Sequence, residues 1–187
     1  MKIENLKLKI TRRGFTMIEL LIVIAVLGIL AVAVLSALNP IEQINRSKDT
    51  GGRSDAEQLI GGIDRFYTTK GYYPWANNTS DTNLIDWAPV NGYVNLLNNL
   101  TNATQELKGS FITRISAADY NHLYIFNNGL QGNSTYVCFK PQSKAFDDDV
   151  VKRCGVAGAG MPTDLKANTA VLNLVCGGAG NSYSCLP

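Results

Sequence analysis

The chain has 187 residues, with 17 basic and 15 acidic side chains, a formal charge of +2, four cysteines and a single histidine. Five of the basic residues but only Glu4 among the acids fall in residues 1–14, so the remainder carries 12 basic and 14 acidic residues, a net −2. The basicity therefore reads as a targeting signal. It excludes a nucleic-acid footprint, because no dense Lys/Arg stripe follows.

Lys2, Lys7, Lys9, Arg12 and Arg13 end at Gly14, and an apolar run of 24 residues, Phe15 to Leu38, begins at once. As a helix that run would be about 36 Å long, enough to cross a hydrocarbon core of about 30 Å with some tilt. It is apolar all round, which favours a membrane span over a core helix. The basic flank predicts a cytoplasmic N-terminus, with everything after Leu38 outside the cytoplasmic membrane. No Ala-x-Ala site follows the run, so an ordinary cleaved secretory signal does not fit. The run holds one charge, Glu19. A carboxylate deep in hydrocarbon costs roughly 2.5–3.5 kcal/mol, and less near the interface. In the first turns of a helix the macrodipole favours it modestly. Packed among apolar helices it would need a cation or a proton.

Gly14-Phe15-Thr16-Met17-Ile18-Glu19-Leu20-Leu21-Ile22-Val23-Ile24-Ala25 resembles the prepilin signature of type IV pilins and type II secretion pseudopilins. The resemblance is close over about 30 residues and weaker as far as Pro74. It implies cleavage between Gly14 and Phe15 by a prepilin peptidase, and N-methylation of Phe15. It also implies that Glu19 serves filament assembly by pairing with the Phe15 amine of a neighbouring subunit. The implied fold is α+β and pilin-like, a long N-terminal hydrophobic helix packed on a small antiparallel β-sheet head. The implied organisation is a cleaved leader (1–14), a transmembrane or filament-core helix (15–38), the outer half of the stem helix (39–69) and a disulfide-containing head (70–187). The partners implied are further copies of the chain in a homo-oligomeric filament, the peptidase, the inner-membrane assembly machinery, and membrane lipid before assembly. The function implied is that of a structural subunit of a type IV pilus-like filament, outside the cytoplasm and without enzymatic turnover. A secretion or competence pseudopilin and a minor or tip adhesive subunit are the alternatives.

Asn39-Pro40-Ile41-Glu42 reads as a helix restart, with Asn39 as N-cap, Pro40 at the first helical position and Glu42 at the third. A kink or break is therefore expected near Leu38–Pro40. The second helical segment, Pro40 to about Thr69, meets Gly51-Gly52 and Gly61-Gly62, which should interrupt it. Ala56, Leu59, Ile60, Ile63, Phe66 and Tyr67 recur at helical spacing and form a face suited to packing on a sheet. Arg46, Lys48 and Arg53 are offset by Glu42, Asp49, Asp55 and Glu57, the pattern of a solvated helix face.

From Lys70 the remaining 118 residues suffice for one core. Gly71-Tyr72-Tyr73-Pro74-Trp75 is an aromatic turn, and the Asn/Gly-rich stretch after it reads as a long irregular connection. Leu96, Leu97, Leu100 and Leu107 fit a short helix. His122–Phe126 and Thr135–Phe139 read as strands, with Asn127-Asn128-Gly129 starting the turn between them. Ala170–Cys176 and Tyr183–Leu186 read as further edge strands, and Asp147–Arg153 is ambiguous.

Cys138, Cys154, Cys176 and Cys185 all lie past the span, as two disulfides in an oxidising compartment require. Three pairings are possible. The sequential one, Cys138–Cys154 with Cys176–Cys185, needs only short loops and is the expected one. The nested one would tie the last strand to the sheet. No cofactor, metal site or catalytic residue is expected. No Cys-x-x-Cys spacing occurs, His122 has no placed nucleophilic partner, and Asp147-Asp148-Asp149 lacks a calcium-loop pattern.

Overall fold

A computed structural model describes residues 14–37, 39–130, 133–178 and 180–187. The leader up to Arg13, and Leu38 where the break was expected, lie outside the described residues. The chain divides into two compact units, Met1–Pro40 and Ile41–Pro187. The first contains helix α1, Met17–Ala37, in which no residue is buried. The second helix, α2, begins at Pro40.

Helix α2 runs without interruption over Pro40–Lys70. It buries Gly52, Ala56, Leu59, Gly62, Ile63 and Phe66 along one face. Those side chains form a first core with Ile85, Leu96, Leu100, Phe111, Ile125, Val137 and Phe139. Burying a side chain the size of Leu, Ile or Phe contributes roughly 1.5–3 kcal/mol, which outweighs the glycine penalty of about 1 kcal/mol per position. The expected interruption at the glycine pairs is thus absent. Gly62 in particular has a packing reason, because a Cβ there would stand 3.0 Å from Leu107.

Two carboxylates on α2 that read as solvated charges are buried. Asp49 accepts from the Gln142 amide at 2.9 Å, the Ser143 amide at 2.8 Å and the Ser143 hydroxyl at 2.6 Å. Asp55 takes a two-pronged contact from Arg114 at 2.9 and 2.8 Å and a Tyr120 hydroxyl at 2.6 Å. Nearer the start of α2, Glu42 accepts from the amides of Lys144 and Ala145, and Asn45 donates to the Gln142 carbonyl. Residues 42, 45 and 49 meet the 142–145 segment together because helical spacing puts them on one face. Burial and the Asp55 hydrogen bond push the Tyr120 hydroxyl well above its usual pKa, so it remains a donor.

The sheet is antiparallel, four strands in the order β1-β2-β3-β4. The strands are β1 (Asn83–Pro89), β2 (Tyr124–Gly129), β3 (Tyr136–Phe139) and β4 (Ser184–Leu186). Its inner face, Ile125, Val137 and Phe139, packs on the α2 core. Its outer face, Phe126, Tyr136 and Cys138, joins a second core with Val150, Leu165, Val171 and Val175. Those residues come from α5 (Lys144–Cys154), α6 (Thr163–Lys166) and α7 (Thr169–Val175). Covering both faces explains why β2 and β3 read as unbroken apolar runs. Two short helices, α3 (Val94–Asn98, continued by a π-turn over Asn99–Ala103) and α4 (Gly109–Ile115), close the first core.

Several segments differ from the sequence expectation. The Asn-rich connection contains strand β1, which pairs with Asn127–Gly129 and keeps those residues in β2 rather than in a turn. Asn127 is buried with its amide on the Thr135 hydroxyl at 2.9 Å. Gly129 at φ +76° is required, since a Cβ would lie 2.9 Å from that of Leu84. Ala170–Cys176 is helix α7 and not a strand, because Asn168 caps it through the Val171 amide and Val171 and Val175 are buried at i, i+4. Asp147–Arg153 is helical, within α5.

The disulfides are Cys138–Cys185 and Cys154–Cys176, at sequence separations of 47 and 22. The sequential pairing is therefore corrected to the nested one. Short-loop entropy loses to strand register: Cys138 and Cys185 are direct partners across β3 and β4. Cys154 ends α5 and Cys176 follows α7, so the second bridge joins two helices of the outer layer. Peptide mapping under non-reducing conditions should recover these two linked pairs, and removing either bridge should cost about 2–5 kcal/mol.

Asp49→Ala should lower unfolding free energy by about 1–3 kcal/mol, the cost of stranding buried donors, read from denaturant midpoints. Asp55→Ala should cost less than a fully buried ion pair, because the Arg114 side chain is 53% exposed and can regain water. Stability should also fall in acid. Burial alone would raise the Asp164 pKa, but hydrogen bonds from the Tyr136 hydroxyl and from the Ser134 and Leu165 amides hold it below its usual value. A depressed carboxylate stabilises the fold above its unfolded pKa and loses that contribution as pH falls through and below about 4. Asp164→Asn should therefore be less stable at neutral pH, with a flatter decline between neutrality and acid in pH-dependent denaturant midpoints.

Candidate functional site

The junction is built from Gly14 to Glu19. Gly14, Phe15 and Thr16 are non-helical, and α1 starts at Met17. Thr16 and Glu19 close a reciprocal cap. The Thr16 amide and hydroxyl each donate to Glu19 Oε2 at 2.8 Å, and the Glu19 amide donates to the Thr16 hydroxyl oxygen at 3.2 Å. This is the Ser/Thr-x-x-Glu arrangement that satisfies orphan amides at a helix start. It holds the lone carboxylate of α1 toward residues 14–16, at the positive end of the helix dipole. The spacing was readable in the sequence, where Glu19 was seen and Thr16 was missed.

Around this start the molecule leaves access. Phe15 is 85% exposed, and apart from the glycine and its chain neighbours no atom of the described residues lies within 4 Å of where a Gly14 Cβ would stand. The 21 residues of α1 span about 32 Å at about 1.5 Å each. Among the described residues, α1 is the one helix long and apolar enough to cross a membrane, by length and composition.

The other residues singled out in the sequence are dispersed. Asp148 pairs with Lys144 at 2.9 Å and Asp149 with Arg153 at 3.1 Å along α5. Asp147 accepts from the Gly180 amide at 3.0 Å. His122 has a buried Nδ1 with no hydrogen-bond partner among the described residues. Among those residues no group of three or more His, Cys, Asp or Glu side chains could hold a metal ion. The cysteines are all in bridges and lie in the Ile41–Pro187 unit.

Thr16→Val should remove both hydroxyl bonds of the cap and leave only the bond from the residue-16 amide to Glu19. The first turn of α1 should then lose about 1 kcal/mol of local stability and exchange its amides roughly fivefold faster. Hydrogen exchange of the full chain in detergent micelles reads this directly, with the rest of α1 unchanged.

Residues 10–35 match the prokaryotic N-terminal methylation motif. The chain is also similar to the fimbrial protein EcpC of Eikenella corrodens, 40% identical over 93 residues, which is 47% of this chain and 54% of that protein. The chain thus spans about half the length of the relative it matches. No solved structure matches it. An exposed glycine–phenylalanine junction, a capped glutamate and all but the last two residues of a membrane-length apolar helix stand inside the matched motif. With the four-stranded antiparallel sheet beyond it, the chain carries the N-terminal methylation signal of type IV pilins on a pilin-like α+β fold.

Proposed function

We propose that this chain is a structural subunit of a type IV pilus-like filament. One observation carries the reading: α1 is a membrane-length apolar helix with no buried residue, and all but its last two residues fall within the methylation signal. Such a helix needs lipid or other copies of itself to cover it. Before assembly it is a single-pass anchor in the cytoplasmic membrane, with residues from Ile41 onward outside the cytoplasm. In the filament it bundles with its counterparts while the heads form the outer surface. The fimbrial name of the relative favours a pilus over a secretion pseudopilus.

In this reading a prepilin peptidase cuts between Gly14 and Phe15, and the new Phe15 amine is methylated. Glu19 then supplies the counter-charge for the Phe15 amine of a neighbour. The inner-membrane assembly machinery draws subunits from lipid into the filament. The role is mechanical and has no catalytic turnover.

Intact-mass and N-terminal peptide analysis of the protein from cells should show a chain starting at methylated Phe15. A mature protein starting at Met1, or cut beyond Leu38, would overturn the reading. Glu19→Ala should still insert with its head outside, since removing a charge eases insertion, while its yield in sheared filaments drops. Normal incorporation of that variant would remove the assembly role of Glu19.

A further inference from the structure

Asp86 on β1 is exposed, and its carboxylate makes no hydrogen bond or ion pair among the described residues. It lines a cleft of about 450 Å³ between β1, the aromatic turn after α2 and the start of α3. That volume lies in the range of small-molecule sites, about 300–1,000 Å³. Trp75, Tyr93, Leu84, Val94 and Asn95 line the same cleft, and among the described residues no cationic side chain does. The Tyr93 hydroxyl donates to the Asp86 carbonyl at 3.1 Å, which ties that ring to the strand. Burial first, and the Asp86 charge second, raise the Tyr93 pKa, so the ring stays a neutral phenol. Trp75 is backed by two further rings. Tyr73 stacks on it with centroids 4.5 Å and planes 7° apart, and the Tyr67 ring centroid lies 4.6 Å from that of Tyr73. Leu84 and Val94 expose 46% and 62% of their surface.

An unpaired carboxylate among aromatic and aliphatic side chains selects one kind of charge. An anion is repelled by Asp86. A neutral apolar molecule would desolvate that carboxylate without pairing it. A metal ion needs several oxygen ligands, and one carboxylate does not supply them. A primary ammonium pairs with Asp86 but brings three N–H donors, each of which needs an acceptor once it leaves water. A trimethylammonium group carries the charge and has no N–H to satisfy. Aromatic faces attract its positive methyls through the ring quadrupole, and Leu84 and Val94 cover them with aliphatic surface. Asp86 supplies the counter-charge, and the Asn95 amide suits a hydroxyl on the ligand's tail. The larger cavity between α2 and α4 lacks this combination, since Arg65, Lys108 and Arg114 line it.

We propose that this cleft binds small quaternary ammonium cations of the choline type. A phosphorylated headgroup fits worse, because its anion meets Asp86 with no cation in the lining to receive it. The site lies wholly within the Ile41–Pro187 unit and does not rest on filament assembly. The test uses the full chain in micelles of a polyoxyethylene ether, a detergent with neither charge nor quaternary nitrogen. Saturation-transfer NMR titrations are run with choline, its uncharged carbon isostere 3,3-dimethylbutan-1-ol, ethanolamine and phosphocholine. The expected result is saturable transfer at the choline methyls, with the other three binding about tenfold more weakly. Asp86→Asn keeps the side-chain shape and removes only the charge, at an exposed residue whose carboxylate has no partner to lose. It should weaken choline about tenfold and leave the isostere unchanged. Trp75→Leu, which trades a π-face for aliphatic surface, should weaken choline by a similar factor. Absence of saturable choline binding, isostere or ethanolamine binding equal to that of choline, tighter binding of phosphocholine, or wild-type choline affinity in Asp86→Asn would each overturn the proposal.

Discussion

An apolar helix with nothing to cover it sets the terms for this protein. None of the residues of α1 is buried, and the hydrophobic effect forbids that arrangement in water. A helix of that length and composition calls for lipid or other apolar helices around it. The other features of the junction follow from that demand. A carboxylate at Glu19 is tolerable because it sits in the first turn, where Thr16 supplies two donors and the dipole favours negative charge. Deeper in the same helix it would have neither.

The Ile41–Pro187 unit has its own two cores. Its sheet is covered on both faces, by α2 on one side and by α5, α6 and α7 on the other. Packing alone would let α2 slide or rotate on the sheet, since apolar contacts are non-directional. Asp49 and Asp55 remove that freedom. Each places a carboxylate on donors whose positions are set by distant parts of the chain. Register by buried polar contact costs stability when a partner is lost, and it selects one docking over near alternatives. The disulfides do similar work in the outer layer, where β4 has only three residues and α7 seven.

The polar contacts also bear on how the start of α2 behaves. Pro40 and Gly51-Gly52 make that stretch a poor helix by propensity. Glu42, Asn45 and Asp49 nonetheless hold it to the 142–145 segment. The helix there is a tertiary product, formed because its head-facing side chains reach their partners only at helical spacing.

The sequence by itself determined the junction, the apolar helix, the α2 core face and the β2 and β3 strands. Those properties are local: a run length, a 3.6-residue period, a basic flank, a lone carboxylate in an apolar run. Their physics is complete within a few turns of chain. Tertiary structure decided the rest. Asn83–Pro89 became a strand only because the end of β2 offered a partner, and Asn127 left its turn-forming habit for the same reason. Thr169–Val175 became a helix because a capped turn and two buried valines outweighed its β-branched content. The disulfide pairing followed from Cys138 and Cys185 sharing a register position, which short-loop reasoning cannot see. Asp49 and Asp55 looked like surface charges because a carboxylate's neighbours in sequence say nothing about donors some 60 to 90 residues away. Long-range hydrogen bonding and strand register are properties of the folded chain, and a one-dimensional pattern carries no term for them.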